Sequence, residues 1–268
     1  MRAHFMLLGN FIHTAEAAGD GIAIHLAPPV LGHFFGIPLT STLVTSWTVM
    51  ILLIVSTFLL SRRLKLIPGK GQIVVETLVG GVFDYIADVL ESRDLAKRFF
   101  PVIMTIFVFI LSLNWFGLLP GITGFGIYGE SHGESGLIPF FYPAHTDLNM
   151  TIALAVIAFF FIEISGVLAI GFFKYAGKFI NFSSPLNFLI GIIELFSELA
   201  RLISFSFRLF GNIFAGKTLL LIAMFFVPLI LPVPILAFEL FVGFIQAFIF
   251  AVLTLFFIKL AIADPHEH

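Results

Sequence analysis

The apolar positions of this chain gather into long unbroken runs instead of alternating with polar ones. Thr42 to Leu60 carries no charged residue. Neither does Phe99 to Leu119, where Pro101 falls in the first turn of the expected helix, a place that tolerates proline. A third run, about Met150 to Phe173, is interrupted only by Glu163. Each run matches the ~20 residues that a helix needs to cross a bilayer core. After Pro185 the chain stays apolar to about Ile262, yet Glu194, Glu198, Arg201, Arg208, Lys217, Glu239 and Lys259 are set within it. No proline occurs from Leu186 to Val227, a stretch of about 63 Å if helical at about 1.5 Å per residue. The hydrocarbon core is about 30 Å thick. One upright helix is therefore excluded, and the element either breaks or lies steeply tilted. Pro228, Pro232 and Pro234 end it, and a second apolar segment from about Ile235 to Ile262 returns. The pattern predicts a hairpin of two oblique helices.

Segment 72–91 has a different period. Glu76, Gly80, Asp84, Asp88 and Glu91 recur on one helical face, and Val75, Leu78, Val79, Val82, Ile86, Val89 and Leu90 on the other. An amphipathic helix flanked by basic residues lies on a membrane surface. The alternative is a loop helix packed on a partner. Basic residues set the orientation. Arg62, Arg63, Lys65, Lys70, Arg93, Lys97 and Arg98 crowd the loop between the first two spans, whereas 120–149 has no lysine or arginine. The positive-inside rule puts the N-terminus outside and the C-terminus in the cytoplasm.

The fold class expected is an all-α polytopic membrane protein. It has one N-terminal transmembrane helix, an amphipathic surface helix, a two-helix transmembrane hairpin, and a C-terminal hairpin of two long, strongly tilted intramembrane helices. A single membrane domain, 1–268, would comprise an outer N-terminal segment 1–41, a first span 42–60 and the surface helix 72–91. A transmembrane hairpin 99–173 with outer loop 120–149 and the oblique hairpin 186–262 complete it. Arg2, the apolar Phe5 to Leu8 and the Ala15-Glu16-Ala17 triplet imitate a cleavable signal, but Gly9 and Asn10 break the apolar stretch, so cleavage is not expected. No internal repeat stands out.

Composition narrows the function. With 11% charged residues, 59% hydrophobic ones and a mean hydropathy of +1.10 the chain is no ordinary soluble domain, where about 25% is charged. A net charge of −2 offers no surface for nucleic acid. Zero cysteines remove disulfides, thiolate metal sites and cysteine nucleophiles. H-E-x-x-H does not occur, which argues against an intramembrane metallohydrolase. His25, His33, His132 and His145 lie in or near outer segments and read as solvated, so no metal and no cofactor are expected. Gly211 to Thr218 fits the phosphate-loop pattern G-x-x-x-x-G-K-S/T. Its flanks are membrane-apolar, a strand in lipid cannot satisfy its backbone, and no acid follows before Glu239. It is not read as a nucleotide site.

The charges of the last third carry the chemistry. Glu194, Glu198, Arg201, Phe205, Arg208 and Asn212 follow one another at helical spacing and form one stripe. Glu198 and Arg201 pair at i, i+3. Arg208 has no acid within one turn. An arginine in the membrane marks an ion pathway or is satisfied by carbonyls or by a pair across the bundle. A secondary transporter would show repeated halves, which this charge distribution lacks. In a structural scaffold such charges would serve nothing.

The run Glu194-Leu-Phe-Ser197-Glu-Leu-Ala-Arg201-Leu-Ile-Ser204-Phe-Ser-Phe-Arg208-Leu-Phe-Gly-Asn212-Ile-Phe-Ala-Gly216 resembles the signature of subunit a of F-type ATP synthases. Phe238-Glu239 and Gln246-Ala-Phe-Ile-Phe-Ala-Val-Leu-Thr254 are similar to that family's last helix. Asn114-Trp-Phe-Gly-Leu-Leu-Pro120-Gly121, Asp147-Leu-Asn149, His25-Leu-Ala-Pro, Pro68, Gln72 and Glu76 match at the expected places, so the likeness covers nearly the whole chain. It implies a stator subunit lying against a rotating c-ring of small hairpin subunits, with two offset ion half-channels, one open to each side. Arg208 corresponds to the family's essential, ring-facing arginine, beside Asn212 and faced by Gln246. Glu194 and Ser197 would border the cytoplasmic exit. Asn114, Asp147, Asn149, Lys217 and Glu239 would line or support the outer entrance. Each of these last groups is also readable as a helix-packing contact. The resemblance further implies peripheral-stalk b-type subunits as partners, the lipid bilayer of a bacterial inner membrane as surroundings, and no nucleotide bound by this chain; the ion is proton or sodium, a choice set by the ring carboxylate and not by this chain.

Two positions depart from the family. Lys217 stands where relatives usually carry His or Glu, and nine residues past Arg208 it points to the opposite side of the helix; an ion pair with Glu239 is expected there. Leu202 replaces the usual proline after Arg201, which removes the reason for a kink. Glu163 has no counterpart role.

Overall fold

The computed structural model describes residues 27–263 except 35, 63, 66, 132–133, 180–183 and 229. The signal-like segment from Arg2 to Ala17, His25 and His132 lie outside the described residues. Strands β1 (Val30–Phe34) and β2 (Ile37–Thr40) pair antiparallel and lead into helix α1 (Ser41–Ser61). Helices α2 (Lys70–Leu90) and α3 (Arg93–Gly117) follow. A second antiparallel hairpin, β3 (Gly126–Ser131) with β4 (Glu134–Pro139), precedes α4 (Leu148–Ile170), α5 (Phe172–Phe179), α6 (Pro185–Phe226) and α7 (Pro232–Ile262). Among the described residues five helices, α1, α3, α4, α6 and α7, are long and apolar enough to cross a membrane. The chain is a multi-pass membrane protein built on helices.

Two short antiparallel hairpins accompany the helices of this all-α fold. They belong to connections, where backbone groups free of helix must pair elsewhere. In the second, a Cβ on Gly126 would lie 2.1 Å from the Ile138 carbonyl oxygen, so only glycine lets the strands approach this closely.

Local chemistry sets the helix ends. α3 begins at Arg93 and not at Phe99, because Ser92 caps it: its Oγ accepts from Leu95 N at 3.3 Å, and Asp94 in the first turn favours the positive end of the dipole. Pro101 is therefore inside the helix and not in its first turn. α2 stops where Glu91 turns left-handed, at φ 54°, and Glu91 also accepts from Lys259 Nζ at 2.7 Å. Gln72 holds the loop before α2, donating to the Lys65 carbonyl at 2.9 Å and to Glu76 at 2.7 Å. The third apolar run ends early, as Gly171 at φ 93° breaks it into α4 and the short α5.

α6 runs unbroken for 42 residues through Leu202, and α7 for 31. At 1.5 Å per residue these are about 63 and 46 Å, both longer than the oil they must fit. The phosphate-loop lookalike Gly211 to Thr218 lies inside α6, where the helix ladder occupies the amides that would cradle a phosphate.

The fold divides into two compact units, and the long helices contribute to both. The first holds residues 1–53, 109–151 and 207–246. Its core gathers Val49, Leu113 and Ala144, with Leu53, Phe109, Phe116 and Met150 packed against them. The second holds 54–108, 152–206 and 247–268. There α7 buries Ala247, Phe250, Ala251, Leu255, Ile258 and Ala261 along one stripe, and Phe205 packs on Phe250 at 4.8 Å between centroids. Gly191 permits close packing in this unit: a Cβ would lie 2.2 Å from the Phe179 carbonyl oxygen.

Candidate functional site

Among the described residues, each unit contains a buried polar cluster. In the first, the last turns of α3 present Asn114, buried at 4% exposure. Its Nδ2 donates to the Gly243 carbonyl of α7 at 2.8 Å, and its Oδ1 lies 2.6 Å from His145 Nδ1. Gly243 allows that approach, since a Cβ there would come within 3.1 Å of Asn114 Cβ. Trp115 Nε1 donates to the Leu240 carbonyl at 3.1 Å and adds a second tie between α3 and α7. A cavity of about 50 Å³ opens beside these groups, with Asn114, His145, Lys217 and Glu239 as its polar walls and Leu113, Ile213 and Leu220 among its apolar ones.

His145 corrects the sequence reading, which took it as solvated: it is 1% exposed. Burial pulls its imidazole from an ordinary value of 6.5 down to about 3. Unfolded, the ring takes a proton below about pH 6.5; folded, it resists protonation until about pH 3. Its contribution to stability is therefore complete above pH 6.5 and is lost as pH falls towards 3, by up to about 1.4 kcal/mol per pH unit. The melting temperature of the purified chain in detergent should drop over that window more steeply than that of the His145→Gln variant. Equal acid slopes for the two would reject burial as the cause.

Lys217 also departs from expectation. Its Nζ donates to the Tyr142 hydroxyl and stands 3.5 Å from the centroid of that phenol ring. Among the described residues no ion pair joins it to Glu239. The reason is angular. Glu239 lies over Gly216, whose missing Cβ leaves room for the carboxylate, and the next residue along α6 is rotated by about 100° towards Tyr142.

Asp147 works as a cap and a clamp. One carboxylate oxygen accepts from Asn149 N at 3.0 Å at the start of α4, and the other accepts from Thr42 Oγ1 at 2.9 Å in the first turn of α1. The Asn149 side chain is exposed. Gln246 is buried on α7, and Arg208 and Asn212 are half-buried on α6.

The second unit holds an ionic cluster. Arg201 pairs with Glu198 at 2.6 Å, the i, i+3 pair read from spacing, and its guanidinium lies 3.7 Å from the Phe257 ring centroid. Lys178 of α5 reaches Glu194 at 2.6 Å and Glu198 at 3.9 Å. The Tyr175 hydroxyl donates to Glu163 at 2.9 Å, and burial first, then that carboxylate, hold the phenol above its usual range. The second oxygen of Glu163 is buried without a protein partner. Ser197 is exposed on α6. The stripe from Glu194 to Asn212 is thus not one continuous surface, because Glu198 and Phe205 are buried at 3% and 2% exposure. Sequence reasoning missed Tyr142 and His145, in the connection before α4, and Tyr175 and Lys178, on the short α5.

Known proteins resemble this chain over most of its length. The family model described as ATP synthase A chain matches residues 43–259. A protein named ATP synthase subunit a from Moorella thermoacetica is 32% identical over 234 residues, 87% of this chain and 96% of that relative. The protein of that name from Geotalea uraniireducens is 32% identical over 258 residues, 95% of this chain and 93% of the relative. In Campylobacter curvus the figure is 33% over 215 residues, 80% of this chain and 87% of the relative. A match of this extent, with the Arg208 segment inside it, makes the chain a member of the F-type ATP synthase subunit a family.

Proposed function

We propose that the chain is the stator of a rotary proton motor, forming two offset half-channels against a c-ring of small hairpin subunits. The observation that carries the reading is Arg208, a permanent cation on a 42-residue unbroken apolar helix. A guanidinium is no proton relay, so it cannot pass protons between half-channels. It closes a direct leak and favours the charged form of a ring carboxylate that passes it. Two polar clusters in otherwise apolar surroundings suit two half-channels. Asn114, Lys217 and Glu239 around the first cavity serve the outer entrance, with Asp147 and Asn149 fixing the loop beside it. Glu194 and Ser197 border the inner exit, and Gln246 and Asn212 flank the arginine. Small outward residues on α6, namely Ser197, Ala200, Ser204, Gly211 and Ala215, let a neighbouring helix come close.

The driving force is about 2.3 kcal/mol per charge per 100 mV, so many steps must accumulate before one ATP forms elsewhere. The chain itself performs no nucleotide chemistry. It sits in a bacterial inner membrane, N-terminus outside and C-terminus inside, held by b-type peripheral-stalk subunits. Purification in mild detergent should bring down a ring of very small hairpin proteins with it. Isolation as a lone chain or a homo-oligomer would reject the reading in favour of a transporter.

A further inference from the structure

One buried aromatic ring in the first unit has unfinished hydrogen bonding. Asn114 Nδ2 donates to the Gly243 carbonyl at 2.8 Å, which fixes the amide so that Oδ1 faces His145. That oxygen carries no hydrogen and accepts. The 2.6 Å contact therefore requires the His145 proton on Nδ1. A neutral imidazole protonated on Nδ1 has a bare lone pair on Nε2. His145 Nε2 is fully buried and has no partner in the protein. An acceptor deprived of a donor in apolar surroundings is costly. The adjoining cavity of about 50 Å³ has room for water, which needs about 10–15 Å³ on this measure. Its other polar walls are a donor, Lys217, and a carboxylate, Glu239.

We propose that Asn114 and His145 form an acceptor of fixed tautomer that holds a water in this cavity, and that protons cross the outer half-channel through this water. The proposal rests on the half-channel reading and adds a positioning residue to it. The water donates one O–H to Nε2 and turns its second O–H and its lone pairs towards Glu239 and Lys217. An arriving proton adds to the water oxygen, and a different O–H bond breaks towards the next acceptor. The water is restored and His145 ends unchanged, neutral throughout. Asn114 acts by locking the tautomer, since a proton on Nε2 would turn the acceptor into a donor and reverse the water.

Two substitutions separate the nitrogens. His145→Asn keeps an amide nitrogen near the Nδ1 position and the bond to Asn114, but removes the distal acceptor. His145→Gln places an amide oxygen near the Nε2 position and gives up the Nδ1 donor. In inverted vesicles with the assembled complex, His145→Asn should slow ATP-driven proton pumping about tenfold, the scale of one hydrogen bond, while His145→Gln stays within about twofold of the wild type. A structural clamp on Asn114 predicts the opposite order. That order, equal rates, or loss in both variants at normal assembly overturns the proposal. A density map of the wild-type complex gives an independent test: water within hydrogen-bond reach of Nε2 is expected, and an empty cavity overturns it. The Arg208→Gln complex, run alongside, isolates the underlying reading. If it pumps, the half-channels themselves fall; if it does not and both His145 variants pump normally, only the role of His145 falls.

Discussion

Vesicles whose complex carries Arg208→Gln should make ATP at least about a hundredfold more slowly than the wild type, the scale of losing one preorganised charge from a dry site. The substitution shortens the side chain by two bonds, leaves a neutral hydrogen-bonding amide on α6 and deletes the charge. The complex should therefore assemble in normal yield. Two consequences of that charge are lost together. A ring carboxylate meeting a neutral amide in low dielectric keeps its proton, so rotation past the stator stalls. The barrier to direct passage also falls, and passive proton leak should rise. Arg208→Lys should rescue poorly, because a buried ammonium sheds its proton where a guanidinium does not. Membrane-embedded charge costs about 2.5–3.5 kcal/mol on translocon scales, so a residue whose removal left synthesis untouched would have no reason to be there. Normal synthesis in the glutamine variant, measured in respiring vesicles, would end the rotary reading of this helix.

Gly216→Ala should be damaging through a different route. A Cβ at this position would stand 1.9 Å from Glu239 Oε1 and 2.1 Å from its carboxyl carbon. The atoms in the way are the tip of a flexible side chain and not backbone, so α6 and α7 should keep their places while the carboxylate swings aside. Glu239 is 4% exposed and a wall of the cavity, so the swing removes an acceptor from the proposed entrance. Pumping should fall about tenfold, the scale of one hydrogen bond, at normal assembly. Adding Glu239→Asp withdraws the carboxylate by one methylene and should restore much of the loss. If the alanine variant fails to assemble and the double variant does not recover, the two helices are locked by backbone contact and the side-chain account is wrong.

The membrane spans were legible because a bilayer forces length and composition together. The 42-residue α6 follows from the lack of proline between 186 and 227, and it starts and stops within one residue of that stretch. α7 begins three residues before the expected Ile235 because Pro232 and Pro234 fit a first helical turn, where a missing N–H costs nothing. Hydropathy alone misplaced the start of α3, since its first turns are polar and the signal is the cap at Ser92. In the site, Glu198 and Arg201 were readable because their contact is local. The partner of Lys217 was not: Tyr142 is 75 residues away, and nothing in the helical period points to it. His145 looked solvated among polar neighbours, and only the arrival of Asn114 from α3 makes its burial tolerable. Local periodicity reports on faces of single helices, whereas the cavity is made by three helices and a loop.

The seating of Lys217 on a phenol, and not on a carboxylate, changes what this lineage is free to alter. A lysine tied to Glu239 would have bound the histories of two helices together, so that drift in one demanded an answering change in the other. Here the obligation passes to position 142 in the connection, and a descendant that loses the tyrosine would strand an ammonium in oil while Glu239 stays untouched.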